Sequence, residues 1–393
     1  MTNWLERLWY PAAGERLTVL QGLALLLLLP LSWLFTAVAA QRRRGLARQA
    51  AASPVPTLIV GNLSVGGTGK TPLVIALIRR LQTDGFRIGV ISRGYGSEPQ
   101  GGAGYPLGVG QYPDASIVGD EPLLIHHATG APVYVDPDRP RARQALLHAH
   151  HCDLVISDDG LQHYALSRDF ELVVIDAKRG LGNGHCLPAG PLREPPSRLR
   201  DIDAIIVNEG AIKQTASKQH SEGQAVADAE RRGRSETLPG LTASNTATTL
   251  AGRCWPMTLA TERLRPLLGH EAEPSSADLG SPGERQLAPP QPGESITAVA
   301  GIGNPSRFFD TLRALGYKVV ECPFPDHHDF QAADFSDLQG PVVMTEKDAV
   351  KCRALLADRS QQFWVLGVSA ILPEGLYQQI LHDLLGVAKP DMR

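Results

Sequence analysis

The chain has little of what would place it in several large protein classes. Its five cysteines, Cys152, Cys186, Cys254, Cys322 and Cys352, include no C-x-x-C pair. Neither a disulfide framework nor a zinc site is therefore expected, and a reducing compartment fits best. Charge of one sign is also missing: 38 Lys and Arg against 41 Asp and Glu leave a formal charge of −3, which argues against a general nucleic-acid binder. No internal repeat and no protein-partner motif is evident. What remains, 393 residues with 43% apolar and 20% charged side chains, is enough for a sizeable core in two units or one large α/β domain.

One segment departs from this soluble profile. "LTVLQGLALLLLLPLSWLFTAVAA", residues 17 to 40, carries no charge, and as a helix it would extend roughly 36 Å, against about 30 Å of hydrocarbon. Arg42, Arg43, Arg44 and Arg48 follow it, so by the positive-inside bias the rest of the chain is cytoplasmic. A cleaved signal peptide with "AVA" as its site is disfavoured by the length of the run and by the arginines just beyond. A crossing helix kinked at Pro30 and a helix lying in the interface, anchored by Trp4, Trp9 and Tyr10, both stay open. Residues 1–50 form this membrane segment and its basic flank.

From residue 57, runs rich in valine and isoleucine alternate with helix-like stretches. The strands expected are 57–62, 87–94, 131–136, 153–159, 171–176 and 203–208, several of them apolar on both faces as in a buried parallel sheet. Residues 51–210 thus read as an α/β core. Residues 211–294 are polar and partly of low complexity, and read as an insertion with a short β-ribbon around "CWPMTLATERL". Strand, glycine turn, helix and strand return after 295, giving a smaller C-terminal α/β unit over 295–393.

"SVGGTGKTP", residues 64–72, follows the first strand and precedes an amphipathic helix. Gly66, Gly67 and Gly69 permit a loop whose N–H groups point inward at a polyphosphate. Lys70 is placed for the β- and γ-phosphates, and the Thr71 hydroxyl for Mg²⁺. The pattern G-x-x-x-x-G-K-[S/T] holds from Gly69 onward, with Ser64 in the first glycine position. The whole cradle is Ser64, Val65, Gly66, Gly67, Thr68, Gly69, Lys70 and Thr71. Asp158 and Asp159, at the end of "LVISDDG", supply the acidic groups such a site uses to hold its metal. Alone, that Asp-Asp-Gly would read as a solvated turn.

A phosphoryl acceptor gains from a group that takes its proton. Asp120 in "VGDEPLL" and His327 in "FPDHHDF" are the candidates, too far apart in sequence for their pairing to be shown. Taken in order, "SVGGTGKTP", "SRGYG", "GDEP", "DDGLQH", "LPAGPLREP", "AGIGNPSRFF", "FPDHH" and "TEKDAVK" behind an apolar helix resemble the tetraacyldisaccharide 4′-kinase family of Gram-negative bacteria. The resemblance covers about 1–210 and 295–368, and Ser64 is normal within it; 211–290 matches least.

That resemblance implies a P-loop NTPase-like parallel sheet flanked by helices, at the cytoplasmic face of the inner membrane. It implies ATP and Mg²⁺ as cofactors and a membrane-embedded tetraacyldisaccharide 1-phosphate as substrate, phosphorylated on its 4′-hydroxyl to lipid IVA. Lys70 and Thr71 then match phosphate and metal positions, Asp158 and Asp159 the acidic pair, and Glu121 an assistant to the metal. Asp120 matches the base and His327 its partner, with His328 adjoining. Arg93 and Arg193 match arginines near substrate or phosphate. The competing reading is a membrane-tethered regulatory P-loop NTPase.

Overall fold

Several runs of the chain are largely apolar on both faces and buried throughout, among them β1 (Thr57–Gly61) and β6 (Phe170–Asp176). Such strands belong inside a parallel sheet covered by helices on both sides. A computed structural model, describing residues 2–11, 17–95, 104–112, 114–211, 252–268, 288–357 and 362–387, shows the sheet they build. Its further strands are β2 (Ile88–Ser92), β3 (Leu107–Gly108), β4 (Val133–Val135), β5 (Leu154–Asp158), β7 (Ala204–Ala211), β8 (Cys254–Thr261) and β14 (Val368–Ile371). The order is β14-β8-β7-β6-β1-β5-β2-β4-β3. All neighbours run parallel except β14 and β3 at the two edges.

Helix α3 (Lys70–Thr83) buries Leu73, Leu77, Ile78 and Leu81 against this sheet, the one-face spacing of an amphipathic helix. Helix α5 (Asp120–Thr129) covers the same face and α6 (Arg139–Ala149) the other. Preceding them are α1 (Thr2–Trp9), the apolar α2 (Val19–Ala47) and the short α4 (Ala115–Val118).

A second sheet, β11-β10-β12-β13-β9, is made of β9 (Arg265–Pro266), β10 (Ser295–Ala300), β11 (Lys318–Pro323), β12 (Val342–Thr345) and β13 (Phe363–Leu366). It is parallel apart from β9. With α7 (Pro305–Ala314) and α8 (Glu346–Cys352) it has apolar clusters of its own on both faces. One side chain of α8, Val350, reaches into the first sheet's cluster instead.

The parallel sheet, its flanking helices, the second unit and the apolar helix are as the alternation predicts. Two boundaries differ. The run expected to form a β-ribbon is β8, an inner strand parallel to β7 whose first six residues are buried; polar stretches on either side conceal its place in the sheet. The C-terminal unit does not extend to the chain's end, because β14 pairs with β8 and α9 (Glu374–Leu385) buries Leu376, Tyr377 and Ile380 in the first sheet's cluster. The rest of the expected insertion, 212–251 and 269–287, lies outside the described residues.

Candidate active site

Ligands of open α/β sheets sit at the carboxyl ends of the strands. Here those ends face the second sheet across a cavity of ≈ 1140 Å³. The cradle runs from the end of β1 into α3. Gly66 and Gly69 adopt φ of 101° and 92°, the left-handed region open to glycine. A Cβ on Gly69 would also run into the Asn208 amide.

The loop is held from three directions. Asn62 donates through Nδ2 to the Ser64 carbonyl at 2.7 Å and to that of Gly66 at 3.2 Å. Val65 N–H donates to the Pro191 carbonyl at 2.9 Å, which ties the "LPAGPLREP" segment to the cradle and brings Arg193 to it. Asn208, at the irregularity within β7, donates to the Thr68 carbonyl at 2.8 Å and accepts from Arg307 at 3.0 Å. Arg307 also pairs with Asp176 at 3.0 Å. Because it stands on α7, one guanidinium links the second unit to the cradle's support.

Lys70 Nζ rests 3.3 Å from Asp159, and Arg193 lies 3.2 Å from the same carboxylate. Burial pushes the Asp159 carboxyl up, but the two cations outweigh it and hold it at about 2. A phosphate entering the cradle can take these cations over, since it offers them the same charge in the same place.

Asp158 has no such partner. It is 1% exposed, and neither of its carboxylate oxygens has a hydrogen-bond partner. Burial, reinforced by the Glu121 charge, raises its pKa. A buried carboxylate with both oxygens open is poised for a cation. Among the described residues no three acidic, His or Cys side chains converge as a ready-made metal cage. Mg²⁺ keeps several waters and binds through one or two carboxylates plus phosphate oxygens. The donor set Asp158, Thr71 and nearby Glu121 therefore fits this metal, with Asp159 engaged by cations.

Across the cavity, Asp120 opens α5 and is 6% exposed. His327 Nδ1 is 3.1 Å from Asp120 Oδ2, and its backbone φ of 58° turns the ring into the cleft. The adjoining His328 points away and pairs with Asp334 at 3.0 Å. Burial opposes ionisation of Asp120, but the His327 hydrogen bond and the Lys347 charge prevail and lower its pKa. The Asp120 hydrogen bond raises that of His327. Each shift favours the charged form of the group that carries it, as an ion pair requires, so the two agree.

Lys347, at the start of α8, was given no role by sequence reasoning. Its Nζ lies 3.0 Å from Glu121, 3.6 Å from Asp120 and Asp326, and 3.4 Å from His327 Nε2. Burial works against its charge and the three carboxylates restore it, raising its pKa. Arg139, which lines the cavity and donates to the Asp136 and Asp158 carbonyls at 3.1 Å, was also unforeseen, as were Asn208 and Arg307. Arg307 and Lys347 do lie within stretches that stand out in the sequence, "AGIGNPSRFF" and "TEKDAVK". Arg93 and Arg193 both line the cavity, as do Phe35, Val38 and Arg42 of α2. Nucleotide cradle, Asp159, carboxylate–imidazole pair and apolar helix thus meet in one cleft, with Asp158 buried next to Asp159.

Residues 24–385 match the family model described as Tetraacyldisaccharide-1-P 4'-kinase. The chain is 44% identical over 352 residues to the tetraacyldisaccharide 4′-kinase of Ectopseudomonas mendocina, covering 88% of this chain and 89% of that one. It is 40% identical over 390 residues to the Alcanivorax borkumensis enzyme of the same name, covering 98% of both. Among solved structures, LpxK from Aquifex aeolicus in complex with ATP superposes with a TM-score of 0.61 and 25% identity, over 91% of this chain and 98% of that one.

Proposed function

The chain belongs to the tetraacyldisaccharide-1-P 4′-kinase family and transfers phosphate from ATP to the 4′-hydroxyl of a tetraacyldisaccharide 1-phosphate in lipid A biosynthesis, and we propose that the transfer runs in the cleft between the two sheets with Asp120 as its base. The observation that carries this reading is the Asp120–His327 pair, formed between the two units and facing the cradle.

The lipid's 4′-hydroxyl gives its proton to the Asp120 carboxylate as its oxygen attacks the γ-phosphorus of ATP, and ADP leaves. His327 donates to Oδ2 and fixes the carboxylate's orientation. Lys70 and Arg193 leave Asp159 for the phosphate oxygens, which neutralises charge where it grows. Asp158, Thr71 and Glu121 would hold Mg²⁺, whose chemistry here is charge neutralisation between phosphate oxygens. Arg93, exposed on the cleft wall, suits an anionic part of the substrate.

The acceptor stays in the membrane, and the bilayer is where α2 belongs. Its exposed leucines and its arginines at 42, 44 and 48 suit an anionic surface, where each basic residue contributes about 1 kcal/mol. ATP supply places the catalytic body at the cytoplasmic face of the inner membrane. Phe35, Val38 and Ala39 line the cleft as well, so the sugar enters from beside the helix.

The test uses purified enzyme, labelled ATP, Mg²⁺ and tetraacyldisaccharide 1-phosphate in detergent. Asp120→Ala and His327→Ala should each lower turnover by about 10²–10⁴-fold with ATP binding retained. The double variant should be scarcely worse than the poorer single one. Fully additive losses would refute the coupled pair, and label found only in free phosphate would refute transfer to the lipid.

A further inference from the structure

The apolar helix α2 has neighbours at both ends, and they touch each other. Before it, α1 is fixed to the catalytic body. Glu6 pairs with Arg179 at 2.8 Å, Asn183 donates to the carbonyls of Leu8 and Trp9 at 3.1 and 2.8 Å, and Trp9 Nε1 donates to the Pro188 carbonyl at 3.1 Å. Leu8 is fully buried. After it comes the catalytic body itself, where Asp201 pairs at 2.6 Å with Arg43 near the end of α2.

The middle of α2 is held by the same stretch that holds α1. Ser32 is 3% exposed and its Oγ donates to the Cys186 carbonyl at 2.8 Å. Going outward from Ser32, residues 19–31 advance only about 20 Å, and the chain must still connect back to Trp9. A helix that crosses a bilayer once leaves its two flanks on opposite sides. Flanks that are in contact cannot be so divided.

The exposure pattern points the same way. Gln21, Leu25, Leu28, Ser32, Thr36 and Ala39, at spacings of three and four, form a buried or half-buried stripe. The opposite stripe, Leu20, Leu23, Leu27, Leu31, Leu34 and Val38, is 53–76% exposed. The catalytic body reaches this stripe at Ser32, so standing the helix upright in the bilayer would carry the Cys186 backbone in with it, where polar groups are costly. A helix covered on one side and apolar on the other suits the interface plane.

We infer that α2 does not cross the membrane but lies in its cytoplasmic leaflet, leucine stripe towards the acyl chains, with α1 and the catalytic body on one side. This rests on the cytoplasmic placement of the catalytic body proposed above, and one experiment separates the two. Full-length protein is expressed with the partly exposed Cys152 and Cys322 as serine and one new probe, Asn3→Cys in α1 or Asp310→Cys on the exposed face of α7. Kinase activity in the same membranes certifies folding.

A membrane-impermeant maleimide is applied to spheroplasts and to inverted vesicles. Both probes should react in inverted vesicles and neither in spheroplasts. Asn3→Cys reacting in spheroplasts while Asp310→Cys does not would overturn the inference and restore a crossing helix. Asn3→Cys reacting only after detergent would place α1 within the bilayer and overturn it too. Asp310→Cys reacting in spheroplasts would instead overturn the cytoplasmic placement.

Discussion

Lys347 is the one ammonium among three carboxylates and an imidazole, and replacing it with methionine tests whether that cluster is held by charge. At 3.0–3.6 Å and an effective dielectric of about 20, each ion pair has a Coulomb energy of roughly 5 kcal/mol. Dehydrating the ammonium, 17% exposed, consumes much of this, and the His327 hydrogen bond to Asp120 survives. A net loss of about 2–3 kcal/mol is expected, at the lower side of what removing a buried partner costs. Scanning calorimetry of Lys347→Met at pH 8 should show a fall in Tm of about 5 °C.

The sign of the pH dependence is fixed by Asp120. Its folded pKa is lowered, so its contribution is full above the unfolded value of about 3.9 and is lost as pH falls through the folded one. The Tm gap between wild type and variant should therefore close only in acid, below about pH 4. Turnover should fall about ten- to a hundredfold through misplacement of Asp120, with the KM for ATP changed less than about threefold. Lys347→Arg should recover most of the stability. An unchanged Tm and kcat, or a gap that widens towards acid, would refute the reasoning.

Asp158 has the opposite sign: a carboxyl with a raised folded pKa costs stability as pH rises above about 3.9. Asp158→Asn should therefore stabilise the nucleotide-free protein at pH 8 by about 1–3 kcal/mol while abolishing kinase activity. A variant less stable than wild type in scanning fluorimetry at pH 8 would show that the carboxylate is not strained there. Arg307→Met removes contacts to Asp176 and Asn208, so the KM for ATP should rise several-fold while that for lipid stays put. Equal effects on both, or none, would separate Arg307 from the cradle.

The core of the fold was legible because its signals are local. The continuous apolar run in "TLIVGN", the period-3.6 run in "KTPLVIALIRRLQ" and the glycines between them announce β1, the cradle and α3 before any tertiary contact is known. Long-range geometry was not. Asp120 and His327 are separated by 207 positions, so chemistry could nominate them while only the folded chain shows which of two adjacent histidines reaches the carboxylate. Asn208 and Arg307 act by supporting backbone, a role with no composition of its own. The edge strand β14 is four residues long, and its place depends on β8, which polar sequence hides.

The connections between the sheets give the second unit an unexpected standing. Thr261 of β8 faces Val368 of β14 in antiparallel register, so those two strands are the arms of a β-hairpin. Everything from Glu262 to Gly367, including His327, Lys347 and Arg307, is its loop. Replacing that loop with a tight turn would leave the first sheet's order intact, so the nucleotide-holding half is a candidate for autonomous folding. In this chain the imidazole that pairs with Asp120 is cargo carried at the tip of a hairpin.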